Sequence, residues 1–460
     1  MKVMIRISKS SSDIIENISR KHWIFLKCQL KGRLDDSLTR RTFDVFEIHL
    51  RSDIEKMLRW FKKNLFKIIM GKPYLLNKMN KQFKKYNSRI YSELELEQSK
   101  QDKPITNYIF KIFDYKRFCN QDMQPYYMQE VNWLRDIIKF TEKQKMTKGL
   151  SLQEKRRFLN QLKLNVINEI NSKFMNKGDI FELESISTLI TRIVDVPVFL
   201  DGKLLNIDNI RKSIKTEITE SIKRFNSKNE ITPFNFGKYR EKYSTDWGPY
   251  QLIMELGLNV CPYCNRQYIS TYYSKNGRTR GDLDHFFPKS LYPFLSLSFY
   301  NLIPSCKVCN SSLKGDKKFE YGKYIHPYEE GFEEKLIFTY NVEEVDSFTD
   351  QNKINIELDR NENVDVNEDF LKKANRNKEV FKLIPLYNMH KDVVANMVRI
   401  RQSYNDQAID SLIKQHPQLF ENRQEVIEML LFSHLDLKHH DKKILSKLVR
   451  DIAVELKFID

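Results

Sequence analysis

The stretches 261-CPYC-264 and 306-CKVCN-310 carry four of the chain's six cysteines, and 283-LDHFFPKS-290 and 301-NLIP-304 lie between them. A Cys-x-x-Cys pair sets two thiolates on one tight turn. Two such turns supply the four soft ligands that tetrahedral zinc takes at about 2.3 Å. Clustered cysteines in a reducing compartment are metal ligands or catalytic groups more often than disulfides. Cys261, Cys264, Cys306 and Cys309 are therefore expected to form a structural zinc site, against chance placement or a redox pair. The 41 residues 265–305 exceed what a zinc ribbon holds, so they must carry structure of their own. Cys28 and Cys119 stand alone and read as buried small apolar residues or incidental thiols.

Working outward, 460 residues exceed one ordinary core and suggest two or three domains. A hydrophobic content of 41% with 12% aromatics argues against wholesale disorder. No apolar run approaches the roughly 20 residues that span a bilayer. The start, 1-MKVMIRISKSSSD-13, turns polar before a signal-peptide stretch forms. These features point to a soluble cytoplasmic protein without membrane partners. A net charge of +17 attracts polyanions and favours nucleic acid as a partner, against a merely solvated Lys-rich surface.

Apolar residues recur at helical spacing through 49–69 and 151–170, and Ser151 with Glu154 makes a capping box. Basic residues interleave with aromatics over 59–67 and 81–89, which suits phosphate contacts and base stacking or, alternatively, amphipathic helices with a Lys-rich solvent face. The β-branched segment 181–207 predicts a short strand pair. Strands are expected at 335–341 and 353–358, flanking an acidic stretch that should face away from a polyanion. The expected organisation is a helical region 1–240 that binds DNA or a partner, a loop-rich module 245–330, a β-hairpin-like connector 331–366, and a helical region 367–460 whose clearest stretch is 391–413. The fold class is mainly α with a central α+β module.

The elements CPYC, DHFFP, NLIP and CKVCN, with Lys314 and Gly315 following, resemble the signature of the HNH endonuclease family in its four-cysteine zinc subgroup. The resemblance covers about residues 255–327. It implies a ββα-metal fold: a hairpin whose first strand ends near His285 and whose second begins near Asn301, packed on a helix opening at about Asn310. It also implies an activity, hydrolysis of phosphodiester bonds in DNA. Such chemistry needs an activated water, neutralisation of the phosphate charge and stabilisation of the leaving oxygen, and one hard cation meets the last two needs.

The resemblance puts Asp284 and Asn310 as ligands of a catalytic magnesium or manganese ion, His285 as the general base, and Asn301 as the residue that orients the His loop. Asp282, on the same strand face as Asp284, reads as a third metal ligand or a solvated carboxylate. His326 reads as a structural imidazole bonded to backbone, or as a group that approaches the phosphate. Adjacent strand residues face opposite ways, so irregular backbone is expected at Asp284 and His285. The family's lysine often follows the last Asn by three residues, whereas Lys314 follows Asn310 by four.

Similar bacterial HNH proteins act in anti-phage defence beside an ATPase, which implies a defence effector with a partner protein. The alternatives are a homing or restriction-type endonuclease, for which no base-reading element is identified, and a catalytically inactive zinc-stabilised nucleic-acid-binding or scaffold protein.

Overall fold

The structure is a computed structural model that describes residues 7, 12–120, 124–125, 128–174, 183–200, 203–228, 246–274, 277–342, 351–436 and 439–459. The acidic stretch after Val342 lies almost wholly outside them. The protein is mostly helical, with a few small two-stranded sheets. It divides into two compact units, one of residues 1–23, 29–121 and 249–460 and the other of 24–28 and 122–248.

In the smaller unit the helices Met128–Lys143, Leu152–Phe174, Leu183–Asp195 and Ile207–Lys228 pack on one another. Each contributes fully buried apolar residues, Ile137, Val166, Ile193 and Ile214 among them. The capping box forms as expected: Ser151 Oγ accepts from the Glu154 N–H, and Glu154 Oε2 accepts from the Ser151 N–H at 2.8 Å. The short strand pair expected within 181–207 is present, Phe199–Leu200 pairing antiparallel with Lys203–Leu204, and the segment before it is helical. Leu183–Asp195 is a helix, because Leu189 and Ile193, four residues apart, are both buried, and this periodicity outweighs the β-branched content.

In the larger unit the Ile48–Met70 helix buries Ile54, Phe61, Leu65 and Ile68 along one face. Pro73, whose missing N–H costs nothing at a first helical position, opens the Pro73–Tyr86 helix, which buries Leu76, Met79 and Phe83. Phe61 and Phe83 stack at 5.7 Å with planes 9° apart, and Phe83 meets Phe294 at 4.6 Å. The aromatics of the basic 59–67 and 81–89 runs are thus partly core. Phe61 and Phe83 are fully buried, so they do not stack on bases.

The centre of this unit is a hairpin. Asp282–His285 pairs antiparallel with Leu302–Ser305, from Asp282 opposite Ser305 to His285 opposite Leu302. The pairing is regular through His285 and continues with the Phe286 N–H donating to the Asn301 carbonyl at 3.1 Å, so the expected irregular backbone is not found. Gly281 precedes the first strand, where a Cβ would lie 2.8 Å from the Ile269 Cβ. The strands expected at 335–341 and 353–358 are Leu336–Val342 and Ile354–Arg360, paired antiparallel. The helical stretch 391–413 is two helices, Lys391–Ser403 and Asp406–Gln415. Asn405 caps the second, its Oδ1 accepting from the Ala408 N–H.

One buried carboxylate ties local structure to stability. Glu97, 3% exposed, accepts from the Ile105 N–H at 2.8 Å and from the Thr106 N–H and hydroxyl at 2.9 and 2.6 Å, capping the Pro104–Ile112 helix from outside it. Glu97→Ala leaves those donors buried and unmatched and should cost about 3 kcal/mol, read as a lowered midpoint in chemical denaturation. A wild-type midpoint would show that water replaces the cap.

Candidate functional site

The first knuckle turns on Asn265, whose φ of 50° is a left-handed conformation that Asn tolerates. Its N–H returns to the Cys261 carbonyl at 2.8 Å, and the Arg266 N–H donates to Cys264 Sγ at 3.4 Å. The second knuckle repeats the device, with the Cys309 N–H donating to Cys306 Sγ at 3.4 Å. All four sulfurs lie within 4.8 Å of one another and all four residues are buried. Tetrahedral ligands at about 2.3 Å place sulfurs roughly 3.8 Å apart, so this donor set fits a metal ion such as zinc. Burial alone would push the Cys261 thiol well above its ordinary range, and a cation is what makes four clustered thiolates tenable there.

Both knuckles reach Asp284. Tyr263, between the two cysteines of the first, donates its hydroxyl to Asp284 Oδ2 at 2.7 Å. Burial, reinforced by the Asp284 charge, pushes the Tyr263 phenol well up, so it stays a donor. Lys314, at the end of the helix that carries Cys309 of the second knuckle, donates Nζ to Asp284 Oδ1 at 2.9 Å and to the His285 carbonyl at 2.7 Å. That helix, Val308–Lys314, is a π-helix, opening slightly before the expected Asn310. A π-helix spends more residues on each turn than an α-helix. Its fourth residue after Asn310 therefore lies nearer the face that a third residue reaches in an α-helix, which accounts for the displaced lysine.

His285 faces the other way. Its ring Nε2 lies 2.9 Å from the Ser296 carbonyl, and Tyr115 packs edge-on at 4.4 Å. A carbonyl partner makes Nε2 the donor and leaves Nδ1 as the acceptor. Burial, aided by the Lys289 charge, lowers the imidazole pKa to about 3, so the ring is neutral near pH 7. Asn301 is fully buried and spans the loop: its Oδ1 accepts from the Phe287 N–H at 2.7 Å, and its Nδ2 donates to the carbonyls of Phe287 and Leu295. Asn310 Nδ2 donates to Asp282 Oδ2 at 3.0 Å, and both residues are half-buried. His326 Nδ1 accepts from the Tyr328 N–H at 3.3 Å, a backbone-bonded imidazole.

The cysteines thus converge, Asn301 grips the His loop, and Asp282 meets Asn310. Asp284 pairs with Lys314, not with Asn310. With both Asp284 oxygens engaged and an ammonium against one of them, this carboxylate as arranged does not fit a hard divalent cation, which needs free oxygen ligands. Tyr263, Ser296, Tyr115 and Asn265 were not anticipated from the sequence. Ser296 acts through its carbonyl, which no residue type signals, and Tyr263 stood unread inside the CPYC motif.

Over 85 residues the chain is 35% identical to the Septu protein PtuB of Bacillus thuringiensis, a match covering 18% of this chain and 30% of that protein. No family model and no solved structure matches the chain. Among the described residues no helix is long and apolar enough to cross a membrane.

Two outcomes follow from this geometry. Metal analysis of the purified protein should return about one zinc per chain, and Cys306→Ser should release it and abolish cooperative unfolding of the larger unit, since a closed site contributes folding free energy directly. Well-folded protein without zinc would refute this assignment. The second outcome concerns acid. Burial lowers the pKa of His22 to about 4 and of His285 and His326 to about 3, from 6.5. The unfolded chain therefore takes up these protons first, and the neutral rings stabilise the fold fully above about pH 6.5 and progressively less as pH falls towards the folded values. Thermal melts should show Tm dropping below pH 6.5, and His22→Gln should remove about one proton from the slope. An unchanged slope in that variant would mean His22 is not the buried neutral ring described.

Proposed function

We propose that the chain is an HNH-type endonuclease that hydrolyses phosphodiester bonds in DNA, with a structural zinc at Cys261, Cys264, Cys306 and Cys309 and a role in defence. The observation that carries this reading is the fixed orientation of His285. A neutral imidazole is held through Nε2 by the Ser296 carbonyl, on a loop clamped by Asn301, at the end of a hairpin joined to a helix through the cysteine cluster. Such a ring has one acceptor, Nδ1, free to take a proton from water, and general-base catalysis of this kind contributes about 10²- to 10⁴-fold. Lys289, 4.7 Å over the Tyr115 ring that packs on His285, supplies exposed positive charge for a phosphate. Asn301 and Ser296 are positioning residues. Lys314 keeps Asp284 neutralised and holds the backbone at His285.

The net charge of +17 supports a polyanionic substrate, and the partial likeness to the Septu protein PtuB supports defence. A partner such as an ATPase and a cytoplasmic location are carried over from the family resemblance. Magnesium or manganese dependence rests on the family resemblance alone, since Asp284 as arranged offers such an ion no free oxygen, and no step is routed through the ion. A second reading, a zinc-stabilised DNA-binding module without catalysis, draws on the burial of His285 and the engaged state of Asp284.

Plasmid cleavage by the full chain, with and without magnesium or manganese, separates the two. His285→Ala should keep zinc content and DNA affinity while lowering cleavage by about 10²- to 10⁴-fold. Equal cleavage by wild type and His285→Ala would remove His285 from the mechanism, and DNA binding without cleavage under any metal would favour the second reading. In either case affinity should fall steeply with salt, as released counterions require.

A further inference from the structure

A cleft of about 440 Å³ opens where the Pro73–Tyr86 helix meets the loop that follows His285. Asn80, Lys81 and Lys84 of the helix line it, with Tyr91, Tyr292 and Lys318 among the facing residues. We propose that this cleft binds a nucleoside phosphate. Three observations carry the assignment.

Asn80 is 6% exposed, and its Oδ1 has no hydrogen-bond partner. Burying an unmatched acceptor costs about 1–3 kcal/mol, and a ligand N–H would satisfy it. Three ammonium groups, Lys81, Lys84 and Lys318, share the cleft with that amide, which suits a phosphate beside a group offering N–H donors. Two carboxylates, Glu95 and Glu320, also line the cleft. They would repel a bare anion, but they are acceptors for the amino groups of a base. The aromatic wall, Tyr91 and Tyr292 with ring centroids 6.4 Å apart, adds apolar surface of the kind nucleobases pack against. The volume lies within the range of small-molecule sites.

The cleft shares Phe287 and Pro288 with the His loop, yet the proposal concerns binding and does not need cleavage. The ligand chemistry has two sources, a free nucleotide and one residue of a single strand.

The test uses the full chain with no added divalent cation. Binding of a fluorescein-labelled single-stranded oligodeoxycytidylate, whose bases carry the amino group, is followed by anisotropy, with deoxycytidine monophosphate and inorganic phosphate as competitors. Asn80→Leu replaces the orphaned acceptor by an apolar group of similar size. It should weaken oligonucleotide binding about 3- to 10-fold while leaving Tm unchanged or raised, which a merely structural asparagine would not do. The double variant Lys81→Ala/Lys84→Ala should lower the salt dependence by about one or two ions. Competition by deoxycytidine monophosphate, lost in Asn80→Leu, identifies the free nucleotide as occupant; Asn80-dependent binding of the oligonucleotide alone identifies the strand. Either result sustains the proposal. Wild-type affinity in Asn80→Leu, or inorganic phosphate competing as well as the mononucleotide, would overturn it. His285→Ala should bind like wild type, so loss of cleavage and loss of this site are read separately.

Discussion

Convergence of four sulfurs from two distant turns is the constraint on which the centre of this protein depends. Cys261 and Cys264 lie some forty residues before Cys306 and Cys309, and closing so long a loop carries an entropy cost that a metal–thiolate site offsets. The cluster does more than staple the chain. Each knuckle carries a donor to Asp284, Tyr263 from the first and Lys314 from the second. The carboxylate is held by the same two turns that the cluster fixes, so loss of the cluster would disturb the strand that ends in His285.

The other side of that strand depends on the N-terminal helices of the same unit. Ser296 donates its hydroxyl to the Phe113 carbonyl, Ser298 to the Ile68 carbonyl, Gln98 to the Ser290 carbonyl, and His22 Nε2 lies against the Leu297 carbonyl. These contacts fix the loop whose Ser296 carbonyl sets the His285 ring. Orientation of the imidazole therefore depends on the helices of the larger unit that pack on the loop. The C-terminal segment contributes in the same manner at the first knuckle. Asn265 Oδ1 accepts from Ser446 Oγ and the Lys447 N–H, and its Nδ2 donates to the His440 carbonyl.

Buried ion pairs mark both regions, Lys314 with Asp284 and Lys447 with Asp451. Such pairs add little net stability against apolar replacements but are costly to break singly. They hold particular geometries: Asp284 near the hairpin, and Asp451 where its carboxylate accepts from the Phe338 N–H of a strand.

What the residues alone determined is what local spacing encodes. Two Cys-x-x-Cys turns were legible as a cluster positioned to hold a metal because ligand spacing within each knuckle is a local property. The helices at 48–70 and 152–174, the capping box at Ser151 and the strands near 336 and 354 follow from periodicity and from side-chain chemistry a few residues apart. The 183–195 helix was missed because β-branched residues favour strands locally while its buried face is set by neighbouring helices. Tertiary structure alone decided which partner each site residue takes. Asp284 meets Lys314 rather than Asn310 because a π-helical turn and the Tyr263 hydroxyl converge on it. His285 is neutral because burial disfavours its charged form, and Asn80, unremarkable on its helix, is an unmatched acceptor in the packed structure, in a cleft it shares with a loop two hundred residues away. Desolvation and long-range hydrogen bonding depend on the packed neighbours, and a pattern read along the chain does not contain them.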